Sequence, residues 1–147
     1  MKKQNTNKTK YEFGIKTIEI LSHSISSQGR PLPEELTFNF NVRVEFKTNE
    51  TPNNLFVVVH VEIENIKAKS IIGQFSLSCI FNIKNMNKIL KIQDNGPLDI
   101  PREFLNDLIE ISISTTRGVM FSTFKGTFLH NAILPILDVN QFIPLSK

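Results

Sequence analysis

The sequence predicts an α+β fold in one domain: a four-stranded antiparallel sheet, a long helix packed across it, and a C-terminal apolar extension. Three observations carry that prediction. Four segments repeat apolar residues with period two, the mark of half-buried strands. Behind them Asp99, Pro101 and Glu103 make a helix-start signal. The chain then runs into "STTRGVMFSTFKGTFLHNAILP" (114–135), an apolar stretch interrupted by Gly, Lys and Thr.

The first strand spans residues 13–27, where an odd apolar series gives way to an even one near Thr17 and Ile18, as at a bulge. Gly29, Pro31 and Pro33 end it in a loop. The second strand, 36–46, sets Phe38, Phe40, Val42, Val44 and Phe46 on one face against Thr37, Asn39, Asn41, Arg43 and Glu45 on the other. A turn leads to the third, 55–65, with Leu55, Val57, Val59, Val61 and Ile63 on its inner face. Its outer face starts apolar at Phe56 and Val58, then becomes polar at His60, Glu62 and Glu64, so something covers the apolar end. The fourth, 73–85, aligns Phe75, Leu77, Cys79, Phe81 and Ile83. Short connections between the four predict an antiparallel meander.

Gly96 and Pro97 break the chain before the helix, and Glu103 suits its first turn. The helix is contested by its own residues. Ile109, Ile111 and Ile113 alternate with Glu110, Ser112 and Ser114, and β-branched residues favour strand. The pairs Phe104/Leu105 and Leu108/Ile109, spaced four apart, favour helix. Arg117 and Gly118 read as the helix end, since a cation suits a C-terminus and glycine adopts the left-handed cap.

Composition narrows the function. The 147 residues include 12 Phe, one Tyr, no Trp and one cysteine, Cys79, which excludes an intrachain disulfide and a multi-cysteine metal site. A thiol without a partner fits a reducing cytoplasm. "MKKQNTNKTK" lacks the apolar run of a signal peptide, and no segment reaches the roughly 18 consecutive apolar residues of a membrane span. The net charge is +3, but four of the 17 basic residues are Lys2, Lys3, Lys8 and Lys10. Residues 1–11 therefore read as a disordered basic tail ahead of a single domain, 12–147. Without those lysines 13 basic residues face 14 acidic ones, with no basic stripe for nucleic acid.

The residues "IIGQFSLSCIFNI" (71–83), "IPREF" (100–104) with "STTRG" (114–118), and "LPILDVNQFI" (134–143) resemble, in order and spacing, stretches of the SecB-type export chaperones. The resemblance covers residues 13–143 and favours the helical reading. It implies a dimer-of-dimers homotetramer that binds unfolded or precursor polypeptides, with the SecA motor or a toxin–antitoxin system's antitoxin as partner. The chain departs from that pattern in a longer apolar insert between Gly118 and Leu134, in ending at Lys147 without the helix and tail that engage SecA, and in its mild basicity. Arg43, Glu45, Lys47, Glu62 and Glu64 make no clean acidic patch. The chaperone expectation survives these departures better than the export one.

Nothing in the sequence points to an enzyme or a cofactor. His23, His60 and His130 lie far apart, and P-loop, dinucleotide and nucleophile-elbow motifs are absent. His60 with Glu62 and Glu64 could hold a metal, but a polar outer sheet face explains them more simply. The expected function is an ATP-independent holdase in the cytoplasm. Candidate client contacts are Phe56 and Val58 on the outer sheet face and Phe121, Phe124 and Phe128 on the insert. The last three could equally fill a core or an oligomer interface. The alternatives are a chaperone dedicated to one partner, such as an antitoxin, and a non-chaperone interaction domain.

Overall fold

The computed structural model describes residues 11–26, 36–90 and 99–142. Residues 1–10 of the basic tail, the loop residues Gly29, Pro31 and Pro33, the Gly96–Pro97 break and Ile143 lie outside them, whereas Tyr11, the tail's last residue, stacks on Phe104 at 4.6 Å between ring centroids. Four strands, β1 (Phe13–Ile25), β2 (Phe38–Thr48), β3 (Asn54–Asn65) and β4 (Ser70–Ile83), form one antiparallel sheet. A short helix α1 (Met86–Ile89), a long helix α2 (Arg102–Thr123) and a 3-10 turn (Val139–Phe142) follow.

The strand order is β1-β4-β3-β2, which corrects the meander. Only β2, β3 and β4 follow one another through tight turns; β1 lies against the far side of β4. Period two specifies which face a side chain takes and says nothing about which strand lies beside it. Residues 26–37 are too many for a tight hairpin; at the described ends of this connection Ser26 N donates to Ile72 O at 3.0 Å and Ile66 N to Thr37 O at 3.0 Å. Asn53 (φ 66°) and Lys69 (φ 52°) sit in the tight turns in the left-handed region. Asn53 also ties its turn to α1, its side-chain oxygen accepting from Met86 N at 3.3 Å.

The inner face carries the core. Leu55, Val57, Val59 and Ile63 of β3 and Phe75, Leu77, Cys79, Phe81 and Ile83 of β4 are fully buried, as are Phe104, Leu108, Ile109 and Met120 of α2. α2 lies over β3 and β4. Its buried positions recur at three- and four-residue spacing from Phe104 to Met120, so packing on the sheet overrides the strand preference of the three isoleucines.

The helix does not end at Gly118. It continues to Thr123, and Phe124 N still donates to Met120 O at 3.0 Å. A mid-helix glycine costs about 1 kcal/mol against alanine, which the burial of Met120 and Phe124 beyond it offsets. The chain turns instead at Gly126, whose φ of 82° is a conformation glycine takes without strain. Thr127 seals that turn: its hydroxyl donates to Phe124 O at 2.7 Å and accepts from Leu129 N at 3.1 Å.

Leu129 then seats on the sheet over Gly73. A Cβ at Gly73 would stand 2.5 Å from a Leu129 methyl and 3.3 Å from one of Ile63. Gly73→Val should therefore cost about 1–3 kcal/mol by overpacking. Combining it with Leu129→Ala should recover part of the loss in chemical denaturation. An unchanged midpoint in the single variant would mean that the loop does not seat there.

Candidate functional site

β1 is a sheet edge whose inner row is uncovered. Ile15, Ile18 and Ile20 stand opposite Phe81, Cys79 and Leu77, all three fully buried, yet are themselves 42–47% exposed. Register shifts between Ile15 and Thr17 and between Ile20 and Ser22 make two bulges; the first is the one the sequence shows. They insert Lys16 and Leu21 and keep Ile18, Ile20, His23 and Ile25 on the inner face. Two ring contacts join β1 to the ends of the α2 segment: Phe104 packs edge-on to Phe13 at 4.9 Å between ring centroids, and Phe124 faces His23 at 6.5 Å. Between them a shallow cleft opens, lined by Tyr11, Phe13, Ile15, Phe81 and Ile111.

On the opposite flank of α2 runs an extended strap, residues 131–138. Arg117 holds it: Nε donates to Leu134 O at 2.6 Å and Nη2 to Pro135 O at 2.8 Å. This contact replaces the helix-end role that the sequence gives Arg117. Ala132 and Leu134 point inward and are buried, while Ile133 is 52% and Ile136 93% exposed. Phe121, one turn beyond Arg117, is 48% exposed. Three large apolar side chains thus face outward around one helix flank and its strap. β2 lies at the sheet edge beyond, its row Phe40, Val42, Val44 and Phe46 half-buried against the core.

No family model and no curated protein sequence matches the chain. Among solved structures, it superposes on the Mycobacterium tuberculosis SecB-like chaperone Rv1957, determined in complex with a ChAD peptide from the Rv1956 HigA1 antitoxin. The TM-score is 0.54 at 13% identity, over 86% of this chain and 90% of that one. The fold is SecB-like.

Within this SecB-like layer the five residues picked from sequence separate. Phe124 is 1% exposed, wedged edge-on against Phe75 at 5.8 Å, so its ring is core. Phe121 points outward, and Phe128 is half-buried against the core. Phe56 and Val58 lie on the sheet's other face, across from Ile80 and Ser78, where Phe56 is half-buried and Val58 only 3% exposed. Phe56 and Val58 therefore form no common surface with Phe121 and Phe128. Sequence reasoning missed Ile15, Ile18 and Ile20, whose alternation is visible but whose lack of cover is not, and also Ile133 and Ile136.

The other face is polar around His60. Its Nδ1 lies 2.8 Å from Ser76 Oγ and its Nε2 3.3 Å from a Glu45 oxygen. In the neutral ring this makes Nε2 the donor to the carboxylate and Nδ1 the acceptor from the hydroxyl. The His60 contact holds the Glu45 carboxyl below its ordinary value, opposed by desolvation and helped by Arg43. His60 pairs with Glu45 rather than with Glu62 and Glu64, and no metal-type cluster forms among the described residues. Ser76, His60 and Glu45 lie side by side on an open sheet, a polar tie between three strands. Burial pushes the Cys79 thiol up, away from reactive thiolate. Among the described residues no helix is long and apolar enough to cross a membrane.

The contrast between two neighbouring phenylalanines is measurable. Phe124→Ala should cost about 3–5 kcal/mol as a core truncation, whereas Phe121→Ser should hold the melting temperature within a few degrees. Equal losses in thermal melts would put both rings in the core.

Proposed function

We propose that the protein is an ATP-independent holdase that binds unfolded polypeptides through apolar surfaces its long helix leaves open. One observation carries this reading. Aliphatic and aromatic side chains stand uncovered on both flanks of α2 in a SecB-like layer. Isolated exposed apolar residues are ordinary, but a row of them beside a buried core marks an interaction surface. The peptide held by the structural neighbour supports the polypeptide as ligand class.

The two flanks divide the work. The β1 row, a nearly continuous aliphatic stripe on an edge strand, suits contact between copies and supports the homotetramer. Phe121, with Ile133 and Ile136, suits an extended client, Phe128 adding surface behind them and Phe56 serving the other face. A client laying ~1,000 Å² of apolar surface on such patches gains on the order of 25 kcal/mol before costs. Ordering both partners cancels most of it, so each patch binds weakly and several copies hold one chain through avidity.

A second reading, a chaperone dedicated to one partner such as an antitoxin, draws on the neighbour's antitoxin peptide. An export role with SecA rests on the sequence resemblance alone.

At equimolar protomer and without nucleotide, the protein should suppress aggregation of a chemically unfolded model substrate. Phe121→Ser with Ile136→Ser should weaken a fluorescent unfolded peptide at least tenfold, about 1.4 kcal/mol, without changing the fold by circular dichroism. Tight binding of one antitoxin peptide without general suppression would select the dedicated reading. No suppression, together with tight binding of one folded partner, would replace both with an interaction domain.

A further inference from the structure

The strap's own side chains do not specify how it seats. Ala132, Ile133, Leu134, Pro135, Ile136 and Leu137 are six apolar residues in succession. In an extended segment a one-residue slip moves every side chain to the other side. Exchanging leucine for isoleucine at an inward position usually costs little, so a slipped strap could bury Ile133 in place of Leu134. Backbone pairing does not decide the matter either. From Leu134 to Leu137 the main chain makes no hydrogen bond to another main-chain group among the described residues.

The directional contacts come from Arg117. Its guanidinium spans two consecutive carbonyls, those of Leu134 and Pro135. These lie between the buried Leu134 side chain and the exposed Ile136. Arg117 forms no ion pair among the described residues, so those carbonyls take its directional donors. A planar fork with fixed donor directions meets one arrangement of two carbonyls and mismatches it after a slip. Ile136, Leu137, Asp138 and Val139 line one cleft with Glu110, Ile113 and Ser114. The strap therefore runs antiparallel to α2, with Ile133 at the Phe121 end and Ile136 at the Ser114 end.

We infer that Arg117 sets the register of the strap, holding Leu134 inward and presenting Ile133 and Ile136 outward beside Phe121 to apolar polypeptide segments. Arg117 is a positioning residue and touches no client itself. The register assignment stands on geometry alone; the role of the two isoleucines rests on the chaperone reading.

Single cysteines read the register in the full chain, because Cys79 is buried and stays silent toward a thiol reagent. With Arg117 present, Ile133→Cys and Ile136→Cys should label at least tenfold faster than Leu134→Cys. Arg117→Ala should narrow that gap to about threefold without melting the fold, and Arg117→Lys, which keeps the stem and one donor, should fall between. Should Arg117→Ala fail to fold, Arg117→Lys decides. Equal labelling at all three positions with Arg117 present, or full protection of Leu134→Cys in the arginine variants, would overturn the assignment. Affinity for a fluorescent unfolded peptide should fall with the labelling gap. Normal register in a protein that binds no unfolded peptide would overturn the chaperone reading and leave the register assignment standing.

Discussion

A helix is narrower than a four-stranded sheet. An α-helix with its side chains is about 10–12 Å across, and strands lie about 4.8 Å apart, so one helix covers two strands well and four badly. α2 matches the sheet in length, 22 residues against strands of 11–14. It lies over the middle pair, where the inner rows of β3 and β4 are sealed. The inner rows of β1 and β2 belong to the same apolar layer but have no helix of their own. What happens at these two edges decides what the molecule can do.

The edges are treated differently. On the flank of α2 away from β1 lies the strap, which buries Ala132 and Leu134 and whose Leu134 and Pro135 carbonyls are held by Arg117. Toward β1 the chain supplies no cover along the middle of the strand, and three isoleucines remain about half exposed. The two bulges matter here. Were β1 regular, without the two bulges, Ile18 and Ile20 would turn to the polar face, and the inner row would be broken. The sequence spends two irregularities on keeping an uncovered row apolar, which a strand facing only water would not need.

The inner faces of β2, β3 and β4 were legible because period two assigns every side chain a side. The order of the strands was not, since alternation carries no information about neighbours across a long connection. The first bulge shows as a switch of series at Thr17; the second is masked because the restored series falls on His23, a polar residue. Gly118 misleads in a specific way. The local rule for glycine points to a helix end, while the burial of Met120 and Phe124 two and six residues later pulls the helix onward. Once the helix is continued, spacing alone separates the rings: Met120 and Phe124, four apart, share the buried face, and Phe121 turns about 100° away. Exposure at Ile18 or Ile136 has no sequence signature, because it depends on what other elements fail to cover.

We propose that the β1 row is left uncovered within one chain because another copy covers it. Light scattering on the purified protein at micromolar concentration, alongside Ile18→Lys with Ile20→Lys, tests it most directly. The unaltered chain should form a particle near four times 16.8 kDa, and the double variant a smaller species with an unchanged circular dichroism spectrum. An unaltered chain that runs as a monomer would contradict it.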